Sequence, residues 1–373
     1  MNNLSRLSVA LGSGLVLSLG ALAPVATATA APSQAPAATH AQDLIHNPGK
    51  DFIERGVTPS ECGPTLLDEY FGAQVASISD EDFAFLLEHI DTIFDVPTYE
   101  PLFFGTAGDG AHDLTLHAQQ LRQTFRDLKK FWAGSAHDGV QFDDIQLMAM
   151  HGDVLLDADR IAKTLTLLVQ EGFYDLTPEE IATEAETVAS YMQSAGDFYD
   201  NPLWTLNAYA FSAEGDPDPL VQGLPDKLVF GDGILDFLDW AGLGDVGTRA
   251  VMGHEFGHHI QYEIGTFDDE PADPSEATRR TELMADAYAS YFMVHKKGEA
   301  INKKRAVDAV LTSYSVGDCS FDSSGHHGTP LQRQRAAEWG ADLAMAASPK
   351  SYVLDATVFE EMFDAALPGI ISG

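Results

Sequence analysis

Residues 246–265 read VGTRAVMGHEFGHHIQYEIG. No proline interrupts them, Asp245 can cap their start and Gly265 their end, so the stretch predicts a helix over about 246–264. On that helix His254 and His258 stand four residues apart and project from one face, with Cβ atoms about 5–6 Å apart. That separation lets both imidazoles reach one metal ion at about 2.0–2.1 Å. Glu255 follows His254 directly, which places a carboxylate beside anything the two rings hold. The pattern His254-Glu255-Phe256-Gly257-His258 is H-E-x-x-H, informative because it sits on a predicted helix. Two short aromatic or apolar runs precede it, Leu206–Ser212 and Lys227–Phe230, and both read as strands.

Two histidines leave a metal ion short of ligands, since a catalytic site needs a third protein ligand and an open position. A third histidine ten residues after the first is excluded, because Ile264 stands there and Gln261 replaces the glycine that such a turn needs. A glutamate on a following helix remains. The next predicted helix opens at Asp273-Pro274-Ser275-Glu276, with an acid to cap it and proline at its first position. It runs to about residue 297 and carries Thr281-Glu282-Leu283-Met284-Ala285-Asp286. Glu282 lies 24 residues after His258, and a loop of about ten residues lets the two helices pack antiparallel. Glu282 and Asp286, one turn apart, repel each other unless a cation or a donor stands between them. A metal at Glu282 and a ligand imidazole N–H at Asp286 would supply both. The competing reading is a solvated acidic face on which Arg279 pairs with Glu282. Glu276 is a weaker candidate ligand because its position suits the cap.

The segment 251–295, H-E-x-x-H followed by E-x-x-x-D, resembles the gluzincin type of metallopeptidase. Val229-Phe230-Gly231-Asp232-Gly233, the His254 helix, the Glu282–Asp286 helix and His327-Gly328-Thr329-Pro330-Leu331-Gln332-Arg333 together look like the bacterial neutral zinc metallopeptidase family. Asn207-Ala208-Tyr209-Ala210 is similar to the zinc-dependent CAAX proteases and their soluble relatives. The likeness covers about residues 200–345. It implies Zn2+ held by His254, His258 and Glu282, with Glu255 as general base, Asp286 behind the ligands, and a peptide or protein substrate. His327 and His326 are the candidates for stabilising a developing oxyanion. A second reading, a silent zinc-binding module that keeps a zincin fold, is disfavoured by the intact Glu255. The fold expected is α+β and mostly helical, a zincin-like domain with a small sheet after a helical N-terminal region.

The remaining sequence sets the context. Of 373 residues, 57 are acidic and 21 basic, a net charge of −36 that repels phosphate backbones and argues against nucleic acid as a partner. With 45% hydrophobic and 21% charged residues the composition is that of a globular chain. Arg6, an apolar run from Leu7 to Leu22, Pro24 and the small residues Ala26–Ala30 read as a secretory signal peptide over 1–30, so an exported protein is expected, with no stable membrane insertion after cleavage. Residues 31–44 read as a flexible mature N-terminus, 45–200 as a helical region, and 201–373 as the catalytic domain. Helical spacing recurs over 80–199, with Thr177-Pro178 opening one helix, and two more helices are expected over about 300–314 and 330–347. His89, His112, His117, His137 and His151 have no second ligand at a recognised spacing and read as surface or packed histidines. Cys62 and Cys319, an even pair in an exported chain, are expected to form a disulfide. The alternative is a Cys62 thiolate capping the metal. Oligomeric state is not legible.

Overall fold

The computed structural model describes residues 65–133, 142, 144–214, 216, 218–268, 273–302, 305–306, 309, 312 and 327–372. The segments expected to be a signal peptide and a flexible terminus, His137, His326, Cys62, Cys319 and most of the helix expected over 300–314 lie outside the described residues. Within them the chain is mostly helical with a small mixed sheet.

The N-terminal region begins with α1 (Leu66–Ser77), closed by a capping box between Thr65 and Asp68. Next come α2 (Asp80–Glu88), capped by Ser79, and α3 (Ile90–Phe104), with α4 (Ala118–Trp132) following. The helical pattern from Phe83 to Ile93 is thus two helices, broken at His89, rather than one. A strand, β1 (Gln146–Met150), then appears inside a stretch that reads as helix by spacing. Helices α5 (Ala158–Gln170) and α6 (Pro178–Ser194) complete this half, the latter with the capping box Thr177/Glu180.

Strands β2 (Ala208–Phe211) and β3 (Lys227–Gly231) fall on the two runs that read as strands. The sheet order is β1-β3-β2, with β1 parallel and β2 antiparallel to β3. Gly231-Asp232-Gly233, at the end of β3, leads directly into a helix, α7 (Asp232–Trp240). The sheet has one strand from before residue 201 and two from after it, and the lysine at the start of β3 ties the halves further. Lys227 is buried, and its Nζ donates to the carbonyls of Pro101, Leu102 and Gly105 at the C-terminal end of α3, at 2.6–3.0 Å. A cation there meets the negative end of the helix and the carbonyls left without intrahelical donors.

Among the helices that follow are α8 (Val246–Glu263), α9 (Pro274–Val294), α10 (Pro330–Ala346) and α11 (Ala356–Ser372). Asp245 does not cap α8; its carboxylate instead meets Arg305 at 2.6 Å and Arg249 at 3.4 Å. Asp273 caps α9 as expected, through the N–H groups of Ser275 and Glu276, and Thr329/Gln332 form the expected capping box of α10. Helix α9 is buried along nearly its whole length because α8 and α10 flank it closely. The approach of α8 depends on small residues. A Cβ added at Gly253 would come within 3.0 Å of Ala289 Cα, and one at Gly257 within 3.1 Å of Ala285 Cα. Glycines four apart on α8 therefore face alanines four apart on α9, and the backbones come closer than larger side chains would permit. No helix among the described residues is long and apolar enough to cross a membrane.

Candidate metal centre

The α8–α9 crossing fixes the site. One turn of α8 spans His254 to His258 and one turn of α9 spans Glu282 to Asp286, and the glycine–alanine contacts bring these turns face to face. His254, Glu255, His258, Glu282 and Asp286 are all buried. His254 Nε2 lies 3.1 Å from His258 Nε2 and 3.3 Å from Glu282 Oε2, while His258 Nε2 lies 3.2 Å from Glu282 Oε1. The other ring nitrogens face acceptors. His254 Nδ1 meets Asp286 Oδ1 at 3.0 Å and His258 Nδ1 meets Gln261 Oε1 at 2.8 Å. An Nδ1 facing an oxygen acceptor carries the proton, which leaves each neutral ring with its Nε2 lone pair pointing inward. With both rings neutral, two imidazole lone pairs and a carboxylate converge on one point, an arrangement that repels itself unless a proton or a metal cation occupies the centre.

The spacing fits a metal ion. Ligands at about 2.0–2.1 Å from a tetrahedral centre stand about 3.3 Å from one another; the two Nε2 atoms are 3.1 Å apart, and each lies 3.2–3.3 Å from one of the two Glu282 oxygens. Glu282 Oε1 has no hydrogen-bond partner although it is buried, as expected of an atom whose partner is an ion. The group His254, His258 and Glu282 can therefore hold a metal ion.

Charge supports the same picture. Burial pushes the Glu282 carboxyl up, but the imidazoles of His327, His258 and His254 outweigh it and hold the group well below the usual carboxylate range. Asp286 is likewise pushed up by burial and brought down by Arg333 and His254. Burial lowers His254, yet the Asp286 and Glu282 carboxylates raise it to about 10 in the metal-free protein. Glu255 goes the other way. Burial raises its carboxyl, and the opposing pull of His254 and His258 is too weak to cancel it. Its Oε2 has no hydrogen-bond partner, so the base candidate is desolvated and uncommitted.

Three residues outside the expected set complete the site. Arg333 on α10 grips Asp286 with two hydrogen bonds, Nε to Oδ2 at 2.7 Å and Nη2 to Oδ1 at 2.9 Å. Gln261 orients His258 and donates its amide to the Thr281 carbonyl at 2.8 Å, which joins α8 to α9. The buried Tyr262 hydroxyl lies in the field of Asp226, Glu255 and Glu282, and after desolvation these keep it well above the ordinary phenol range. Tyr262 follows Glu255 by two helical turns, a spacing that marks a shared face. Arg333 falls within the quoted His327–Arg333 motif, but nothing in its local sequence names its partner.

His327 is wholly buried and acts on Glu282. Glu276 pairs with Arg279, so the alternative pairing of Arg279 with Glu282 is not the one formed. His89, His117 and His151 each pair with one carboxylate, Glu184, Asp239 and Asp232 in turn, and His112 with both Glu100 and Asp109. None of these four joins a metal-binding group among the described residues.

Fold and site together define a mostly helical protein with a small mixed sheet and a buried His–His–Glu group able to hold a metal ion. No family model matches the chain, and comparison with curated proteins and with solved structures finds no match.

Proposed function

We propose that the protein is an exported zinc-dependent metalloendopeptidase whose segment 201–373 carries a zincin-like catalytic centre of gluzincin type. The observation that carries this reading is the convergence of His254 Nε2, His258 Nε2 and Glu282 at tetrahedral spacing beside an uncommitted, desolvated Glu255. Zinc bound there supplies a Lewis acid for a peptide carbonyl and lowers the pKa of a water toward about 7.

The chain's own groups do the rest. Asp286 and Gln261 hold the two histidines in the tautomer that presents Nε2. Arg333 holds Asp286 ionised and in register. The Glu255 carboxylate accepts a proton from water and later delivers it to the leaving amine, and its raised pKa brings it closer to neutrality, where that exchange is most efficient. His327, wholly buried beside Glu282, is better placed to orient that carboxylate than to touch a substrate. Strand β2, at the end of the sheet order, offers an edge on which an extended peptide could add. The Leu7–Leu22 run and the small residues after Pro24 support export.

The test is zinc content by atomic absorption together with casein digestion, with and without a chelator. One tightly bound zinc and chelator-sensitive hydrolysis is the expected result. Zinc without hydrolysis would return the protein to a silent binding module, and hydrolysis indifferent to the chelator would remove the metal from the chemistry.

A further inference from the structure

Immediately after His258 stands a third histidine of the same helix that the His254–His258–Glu282 group does not use. His259 is 0% exposed, and neither of its ring nitrogens has a hydrogen-bond partner. Phe142 and Phe256 flank it, with ring centroids 6.4 and 5.5 Å away. A buried imidazole that satisfies neither nitrogen is costly, because each polar group has lost water and gained no partner. What the ring does face is a set of carboxylates. Asp226 Oδ2 lies 3.2 Å from its Nδ1, outside hydrogen-bond geometry, and is itself buried without a partner. Asp144 Oδ1 lies 3.8 Å from its Nε2. Glu263, one turn further along α8, completes the cluster, and one ligand atom from each of the four residues lies within 4.8 Å of the others.

The fold builds this cluster from three separate elements. Strands β1 and β3 run parallel with Gln146 opposite Lys227, so Asp144 and Asp226 precede paired strands at the same end of the sheet. The Gln146 N–H donating to the Asp226 carbonyl at 2.8 Å holds that end together. The C-terminal turn of α8 packs over it and contributes His259 and Glu263. No lysine or arginine ion pair reaches Asp144 or Asp226 among the described residues. The Asp144 and Asp226 carboxylates beside a buried imidazole whose two nitrogens are unsatisfied call for a cation, and Glu263 lies within reach of the same point.

We propose that Asp144, Asp226, His259 and Glu263 bind a second divalent metal ion, one that clamps the end of the zinc helix to the sheet. The nitrogen donor favours a first-row transition ion such as zinc or manganese over magnesium or calcium, which prefer all-oxygen sets. The Asp144 side chain is 56% exposed, so the site opens to solvent on that side and leaves room for water ligands. Such an ion fixes the helix one residue beyond His258, and its role is structural.

Equilibrium dialysis of the full-length protein against zinc chloride, and separately manganese chloride, followed by elemental analysis tests this. Two equivalents of one of these metals are expected in the wild type. Asp144→Asn combined with Glu263→Gln alters only the margin of the site, and this variant should hold one. His254→Ala should also hold one, lost when all three changes are combined. Circular dichroism on each variant confirms that the helices are retained. A wild type that binds a single equivalent of each metal, lost with His254→Ala, overturns the proposal. So does a second equivalent that survives Asp144→Asn/Glu263→Gln. A single equivalent kept by His254→Ala and lost by the double variant would support this site while removing the metal from the catalytic one.

Discussion

A neutral imidazole carries one N–H and one lone pair, and its neighbours decide which nitrogen has which. At His254 and His258 the neighbours are Asp286 and Gln261, so both lone pairs meet Glu282 at the centre. Glu282→Ala should therefore weaken zinc binding far more than Asp286→Ala, Glu276→Ala or Asp268→Ala. Loss of an orienting acid typically costs about 10–100-fold in affinity, and loss of a direct ligand costs more. Zinc titration of the four variants decides it, and a larger effect at Asp286 would make the third ligand an aspartate. Glu255→Gln leaves the ligands in place and removes the proton acceptor, so zinc should remain and turnover fall by at least about 10²-fold. Near-native turnover in that variant would place the base elsewhere. The His254 shift gives a pH dependence. In the metal-free protein its pKa is raised from 6.5 to about 10, so the stability it contributes is full below about 6.5 and fades as pH rises toward 10. Zinc must displace that proton, so the rise in melting temperature on adding zinc should grow between about pH 6 and 9. Thermal scans with zinc and with chelator check the sign, and an increment that shrinks over that window would contradict it. The two histidines, Glu255, Glu282 and Asp286 were legible because one-turn spacing is local. Arg333 was not, since it acquires its role from a neighbouring helix, 47 residues beyond Asp286, and the tie from Gln261 to Thr281 likewise exists only once α8 and α9 pack.

At the scale of elements the site depends on how closely α8 and α9 approach. Gly253 and Gly257 against Ala289 and Ala285 set that distance. Gly257→Val should push the helices apart, destabilise the fold by about 1–3 kcal/mol as overpacking does, and weaken zinc binding by at least tenfold. Denaturant unfolding and zinc titration together read both effects, and unchanged affinity would show that the ligand geometry does not depend on this contact. The helices of this region were legible because caps and breakers bound them: Asp273-Pro274, Thr329-Pro330 and Gly265. Strand β1 was not. Gln146-Leu147-Met148-Ala149-Met150 is made of helix-forming residues, and only pairing with β3 makes it a strand. Helix α7 was hidden for the opposite reason, because Gly231-Asp232-Gly233 carries the composition of a turn while the backbone continues into a helix at Asp232.

At the scale of the whole molecule, the change of texture near residue 201 does not coincide with a gap in the packing. Strand β1 lies before it and pairs with β3 after it. Lys227 reaches back to the end of α3. Phe131 and Trp132, at the end of α4, pack edge-on against Phe292 and Tyr288 of α9, and Trp132 also meets Phe359 of α11. Both rings are buried, and burying two such side chains contributes on the order of 3–6 kcal/mol. A domain's net stability is only about 5–15 kcal/mol. Removing α4 alone therefore takes away a large share of it, before the open edge of β3 and the unanswered Lys227 ammonium are counted. A chain of residues 201–373, which contains His254, Glu255, His258 and Glu282, should accordingly fail to fold on its own. The expected result is a non-cooperative melt followed by circular dichroism and no stoichiometric zinc, whereas residues 65–373 should melt cooperatively and bind the ion. A cooperative melt with bound zinc in 201–373 would show that the helical half is an appendage rather than one wall of the domain that holds the metal.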